Sequence, residues 1–470
     1  MPLEAMPVPA RERVDSQGAQ THSLAFLHDG ALKRQRPLSP DKRGVLRLAQ
    51  HALKQADTVI ICLGGRSGRL GECIVGTALL EGILLALRFV GKAGTAIRVI
   101  IDTGALELFD ERLYQEHYWP QIQVSGAPVG QTLSRAEALI QQSAARKSLV
   151  VDLHGAHDGM PYLRIEKRAL ARSSGSLDRD ACTVTTLGRL FRVGVRSYAQ
   201  RGRHRRYADF IEDVFDFPTG VIDGLLAQPR IWLSAADEAR YGALAGEFRL
   251  RRSALQVVCF FQSIVLAKCY GRWREALTMM CQQVARRFPD QQIDFLVACG
   301  PDEDLPIGVK LADVADEFID FTGDNRNVRT SVRATPSLRD LAIVVRHAAL
   351  VLSNDTGPGH LAGALRIPAI VPYLPGQVYS KAVWASTPWH HGVTLEPAPF
   401  CAQQIEAAVL WESTDIIDSI PAERLAVAAL GALETRLLSD GYKTPRSNAT
   451  PGSPGHSTTA ARCLPRRLGE

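Results

Sequence analysis

LVLSNDTGPGHLAGALRIP, residues Leu350–Pro368, changes character in mid-course. Leu350–Ser353 is a short apolar run that reads as a buried strand, and it stops at Asn354-Asp355. Thr356-Gly-Pro-Gly359 is a turn, and small residues from Gly359 to Leu365 open a helix. In an open α/β sheet, ligands bind outside the carboxyl ends of the strands. A strand end, a glycine-rich turn and a helix N-terminus in that order place free N–H groups where a diphosphate can sit. Thr356 adds a hydroxyl, and His360 in the first turn can donate to an anion.

The same alternation extends in both directions. Upstream, Ser337–Ala348 reads as a helix, with Ser337 as N-cap and Asp340 in the acidic first turn. Ala369–Pro372 follows as another strand. Leu255–Phe261 and Asp294–Cys299 read as strands flanking a helix over Trp273–Phe288. Nearer the N-terminus, Thr58–Leu63, Ile97–Asp102 and Ser148–Leu153 are β-branched runs, with a helix over Glu72–Phe89. Continuous apolar strands alternating with helices predict parallel sheets covered on both faces. The expected organisation is a tail over 1–44, an N-terminal Rossmann-like domain over 45–235, a C-terminal one over 236–440 and a tail over 441–470. The tails are rich in Pro, Ser, Arg and Gly without apolar period and are expected to be disordered.

The 470 residues are 46% hydrophobic and 22% charged, with a formal net charge of +6. The two tails supply that whole excess, which leaves the body balanced and argues against nucleic-acid binding. Within the body, 164–206 carries twelve Arg/Lys against three acids. That stretch reads either as a solvated face or as a docking surface for an acidic acceptor. The nine cysteines form no C-x-x-C and sit mostly in apolar runs, so neither a disulfide framework nor a zinc site is expected, and a reducing cytosol fits. His154 and His157 lack further ligands nearby and read as loop histidines rather than a metal pair. Leu255–Ala267 is read as the longest apolar candidate and is too short to span a bilayer; the first thirty residues lack a signal-peptide pattern.

The segment from Asp355 to Pro368 resembles the signature D-T/S-G-x-x-H-L-A-A-A-L-x-x-P of glycosyltransferase family 9, the lipopolysaccharide heptosyltransferases. Weaker blocks follow the family's order: Gly64–Glu72, Val151–Gly155, Lys268–Trp273, Gly300–Glu303 and Thr335–Leu350. The resemblance implies a GT-B fold, two Rossmann-like domains facing a cleft. It implies a nucleotide-diphosphate heptose, such as ADP-heptose, on the C-terminal domain and an anionic glycolipid or glycan acceptor on the N-terminal one. It further implies inverting transfer without metal or other cofactor, in the cytoplasm, with room for peripheral contact at the inner membrane.

By that resemblance Lys268, Asp355, Thr356, Gly357, His360, Glu303 and Ser263 are donor-site candidates, and Arg66 and Arg69 face acceptor phosphates. The family's proposed base is the aspartate of a Gly-Asp pair; here Gly71-Glu72 stands at that place, one methylene longer. Two other readings stay open: a related transferase moving another sugar to a protein or capsule, and a silent nucleotide-sugar-binding scaffold. A dehydrogenase is disfavoured, because Gly64-Gly-Arg-Ser-Gly68 does not fit G-x-G-x-x-G.

Overall fold

The computed structural model describes residues 56–63, 70–142, 148–152, 162–165, 228–263, 265–299, 327–335, 337–374, 389–395, 404 and 413–439. The tails, the loop 64–69 with Arg66 and Arg69, His154, His157, nearly all of the basic stretch 164–206 and the Glu303 loop lie outside them.

The N-terminal half builds one sheet. Its elements run β1 (Thr58–Leu63), α1 (Leu70–Phe89), β2 (Ala96–Asp102), a 3-10 turn (Thr103–Leu108), α2 (Glu111–His117), β3 (Ile122–Ala127), α3 (Thr132–Gln142), β4 (Ser148–Asp152) and β5 (Tyr162–Ile165). The strand order is β3-β2-β1-β4-β5. All pairs are parallel except β4–β5.

The second half begins with α4 (Ala235–Glu247) and continues through β6 (Leu255–Phe260), α5 (Trp273–Arg287), β7 (Ile293–Cys299), β8 (Val328–Ala334), α6 (Leu338–His347), β9 (Leu350–Ser353), α7 (Gly357–Ala364), β10 (Ala369–Pro372), β11 (His390–Val393), α8 (Asp415–Asp418) and α9 (Ala422–Ser439). Its sheet is wholly parallel, in the order β11-β10-β9-β6-β7-β8. The predicted strands and helices stand within a few residues of their expected bounds.

Each order reverses once. In the first sheet the chain moves outward from β1 through β2 to β3, then restarts on the other side at β4. In the second it moves from β6 to β8, then restarts at β9. Such switch points open a crevice at the carboxyl ends of the strands. The loop after β1 leads into α1, and the loops after β6 and β9 lie side by side, because β6 pairs with β9.

Helix α1 corrects one expectation. Leu70–Phe89, not Leu255–Ala267, is the longest apolar stretch, and it is long and apolar enough to cross a membrane by composition alone. Fourteen of its twenty residues are buried, because it packs on β1 on one side and α7 on the other. A helix apolar all round is a core helix when both faces find protein. One continuous core runs from Val59 and Ile61 through Ile74, Leu79 and Ile83 of α1 to Leu361 and Val371 of the second half.

A second seam joins the halves at α6. The Leu338 N–H donates to Glu107 Oε2 at 3.0 Å, and Arg339 Nη1 donates to the Leu108 carbonyl at 3.2 Å, both acceptors lying in the 3-10 turn. Ser337 caps α6 as predicted, its Oγ accepting from the Asp340 N–H at 3.0 Å. Asp340 is buried and accepts from Arg240 of α4 at 2.9 Å. Replacing Ser337 by Ala removes the cap and is expected to cost about 1 kcal/mol, read as a fall of a few degrees in thermal unfolding.

Candidate functional site

At the β6/β9 switch point, Asp355 follows the end of β9, and Lys268 closes the 3-10 turn Leu266–Lys268 after β6. Lys268 Nζ donates to Asp355 Oδ2 at 2.5 Å, with both side chains largely buried. Burial pushes the Asp355 carboxyl up, but the charge of Lys268, then that of His360, outweighs it, and the group is held below the usual carboxylate range. Two loops that are far apart in sequence are thereby clamped to one another.

Asn354 completes the clamp. It is fully buried, and its Oδ1 accepts from Trp273 Nε1 at 2.9 Å and from the Tyr270 N–H at 3.2 Å. Its Nδ2 donates to the Phe261 carbonyl at 2.7 Å. Every lobe of this amide faces the Lys268–Trp273 loop or the strand beneath it, so it sets where Lys268 stands. Its place within the quoted segment was legible, but its role was not, since those partners lie some ninety residues upstream in sequence (the Asn354–Phe261 separation is 93). Ser263 is buried and shapes the same loop: its Oγ accepts from the Val265 N–H at 3.2 Å.

Thr356 is the N-cap residue of α7, yet its side chain makes no cap hydrogen bond. Its hydroxyl lies 3.2 Å from Ser353 Oγ and donates to the Asn354 carbonyl at 3.3 Å. No acidic residue occupies the first turn of α7. The positive end of the helix, with the Gly357 and Gly359 N–H groups, is therefore left for an anion. His360, one turn in, is buried, and its ring stands edge-on to His390 at 5.0 Å. His390 is pinned in turn by Tyr373, whose Oη lies 2.8 Å from Nε2. Burial lowers the His390 ring to about 4, so it is neutral through the physiological range.

The two crevices meet through glycine. A Cβ on Gly71 would fall 2.8 Å from His360 Cδ2 and 3.4 Å from Gly357 Cα. A Cβ on Gly357 would fall 3.0 Å from the Leu70 side chain. The first turns of α1 and α7 thus approach more closely than side chains allow, and Glu72 follows Gly71 in that first turn of α1. Glu72 is half-buried in the first turn of α1, where the helix dipole favours a carboxylate.

The structure brings together Lys268, Asp355, Thr356, Gly357 and His360, with Ser263 shaping the Lys268 loop, and it sets Gly71, the residue before Glu72, against His360. Arg66, Arg69 and Glu303 fall outside the described residues. Among the described residues no group of three His, Cys, Asp or Glu side chains is placed to hold a metal ion.

Sequence reading assigned no role to Asp102, the last residue of β2, although it is fully buried and neither carboxylate oxygen has a hydrogen-bond partner among the described residues. Burial raises its carboxyl to about 6, and the charge of Glu72 adds to the rise, while the Gly130 N–H offsets part of it without reaching hydrogen-bond geometry.

A segment from within α5 to the start of β11, residues 280–390, matches the sequence profile of glycosyltransferase family 9 (heptosyltransferase). The matched segment includes the Asp355–Pro368 signature, while the blocks at 64–72, 151–155 and 268–273 lie outside it. The family 9 glycosyltransferase of Veillonella parvula DSM 2008 has a similar structure, with TM-score 0.51 at 14% identity over 81% of this chain and 97% of that one. The match places the two facing α/β domains in the GT-B architecture. Two Escherichia coli structures match more loosely. ADP-heptose lps heptosyltransferase II gives TM-score 0.47 at 13% identity over 82% of this chain and 99% of that one. Heptosyltransferase WaaC with ADP gives 0.41 at 13% identity, with the same coverage of 82% and 99%. No curated protein matches the sequence.

The raised carboxyl of Asp102 has a stability consequence with a definite sign. A carboxyl raised from 3.8 unfolded to about 6 folded favours the native state less as pH climbs between those values. Asp102→Asn should therefore stabilise the fold at pH 8 by on the order of 2–3 kcal/mol, read as a higher unfolding temperature. Below about pH 3, where both states hold the proton, melting of the two proteins should nearly coincide.

Proposed function

We propose that this chain is an inverting glycosyltransferase that moves a heptose from ADP-heptose onto a lipopolysaccharide core or related anionic surface glycan, at the cytoplasmic side of the inner membrane. The observation that carries the reading is the close approach of Gly71, the residue before Glu72, to His360 and Gly357, beside the Lys268–Asp355 clamp. The family 9 profile match supports the sugar class.

In this reading the diphosphate lies on the open end of α7, with Lys268 and His360 supplying positive charge to the departing oxygens. Those cations and the helix end occupy the role that a metal fills in other transferases, so transfer is expected to proceed without one. Glu72 takes the proton of the acceptor hydroxyl. The acceptor oxygen then bonds to the anomeric carbon from the face opposite the diphosphate. The carbon–oxygen bond to the phosphate breaks, and its electron pair leaves on ADP. Displacement from the opposite face inverts the anomeric centre.

Calorimetry with ADP-heptose, UDP- and GDP-sugars in the presence of EDTA tests the donor site. ADP-heptose is expected to bind selectively, and Lys268→Gln to weaken it roughly ten- to a hundredfold. Unfolding of the variant is followed in parallel, because Lys268 also neutralises buried Asp355. Glu72→Gln should bind the donor as wild type does while transfer to a Kdo–lipid A acceptor drops at least about a hundredfold. Equal donor binding by all three nucleotide sugars, or full transfer by Glu72→Gln, would overturn the assignment.

A further inference from the structure

His390 reaches the donor crevice from an edge strand that carries none of the predicted site residues. It opens β11, is buried, and sits in register with Ala369 of β10. Its Nε2 lies 2.8 Å from the Tyr373 hydroxyl. Tyr373 follows β10 and is fixed in turn, its N–H donating to the Val393 carbonyl of β11 at 2.8 Å. The other ring nitrogen of His390, Nδ1, is shielded from solvent and has no hydrogen-bond partner among the described residues. A buried polar atom without a partner is costly. A phenyl ring would fill the same space without that penalty, so packing alone does not account for an imidazole here.

The surroundings of His360 show what the ring of His390 does. A helical side chain leans back toward the N-terminus of its helix, so the imidazole of His360 lies over the first turn of α7, at the anion end. On one side, a Cβ at Gly71 of α1 would stand 2.8 Å from its Cδ2 and 3.6 Å from its Nε2. On another, the His390 ring meets it with centroids 5.0 Å apart and planes at 70°. Tyr373 meets His390 in its turn, with ring centroids 5.8 Å apart. Gly71 supplies clearance for the His360 ring, and His390 supplies contact.

We propose that Tyr373 and His390 are positioning residues for His360: the hydroxyl fixes the His390 ring, and that ring holds the His360 imidazole in the pose from which it serves the departing diphosphate. This rests on the proposed place of His360 in the donor site. Neither Tyr373 nor His390 touches the donor, so their whole effect passes through His360. A side chain locked by its neighbours loses less freedom when a ligand arrives.

Two measurements on the full chain test this. The first is carbon-13 relaxation of labelled histidine rings. The His360 signals, identified by their absence from His360→Gln, should report a rigid ring in wild type and a more mobile one in Tyr373→Phe. Unchanged mobility overturns the proposal, and the measurement needs no nucleotide.

The second is calorimetry with ADP-heptose on wild type, His390→Phe, His360→Gln and the double variant. His390→Phe should weaken binding about tenfold, and in the His360→Gln background it should cost nothing further. Tyr373→Phe repeats the cycle with a smaller change, so an early-melting His390→Phe does not end the test. A merely structural role would shift the unfolding temperature and leave binding alone. Undiminished binding in both single variants, or losses that multiply in the double variant, overturns the proposal while leaving the donor site in place. No binding of ADP-heptose by wild type overturns the proposed function instead, and the ring measurement alone then decides whether the pair holds His360.

Discussion

Two helix N-termini meet where neither has room for a side chain, and the arrangement of the cleft follows from that contact. Gly71 lies against the His360 ring and Gly357 against Leu70, so the first turns of α1 and α7 sit at backbone distance. Each helix begins at the switch point of its own sheet. Holding the helices together therefore also holds the two crevices mouth to mouth. A carboxylate from one side and an anion-binding turn from the other share a small volume, which an in-line displacement requires.

Behind the anion turn stands a polar cluster with little slack. Asn354 fastens the Lys268–Trp273 loop to β9, the ion pair fastens Lys268 to Asp355, and His390 with Tyr373 backs the His360 ring. These groups are buried or nearly so, and most of their polar atoms are paired, as a low-dielectric site demands, with His390 Nδ1 an exception among the described residues. The cluster holds Lys268 and the His360 ring in place, the preorganisation that the proposed stabilisation of departing negative charge needs.

Much of this was written in the sequence, but unevenly. The interior strands of both sheets were legible, because burial on both faces forces unbroken apolar runs such as Thr58–Leu63 and Ile293–Cys299. The strands that sequence reading passed over are β3, β5, β8 and β11, and these are the four sheet edges. An edge strand has a neighbour on one side only; Arg329 and Arg333 in β8 and His391 in β11 show how polar such a segment can be. In the site, the residues inside the Asp355–Pro368 signature were legible from local pattern. Asn354 and Asp102 were not, since what distinguishes them is a set of contacts, or the want of them, with chain distant in sequence.

The core shared through α1 bears on how the halves can move. A helix buried on one face by β1 and on the other by α7 belongs to neither domain alone. Pulling the halves straight apart would strip apolar surface from both sides of it at once, so outright separation is steeply opposed. Rotation about the α1–α7 contact leaves that surface covered. A cleft opening that spares the α1–α7 contact would hinge beside the candidate base and would have to release the α6 seam to the 3-10 turn.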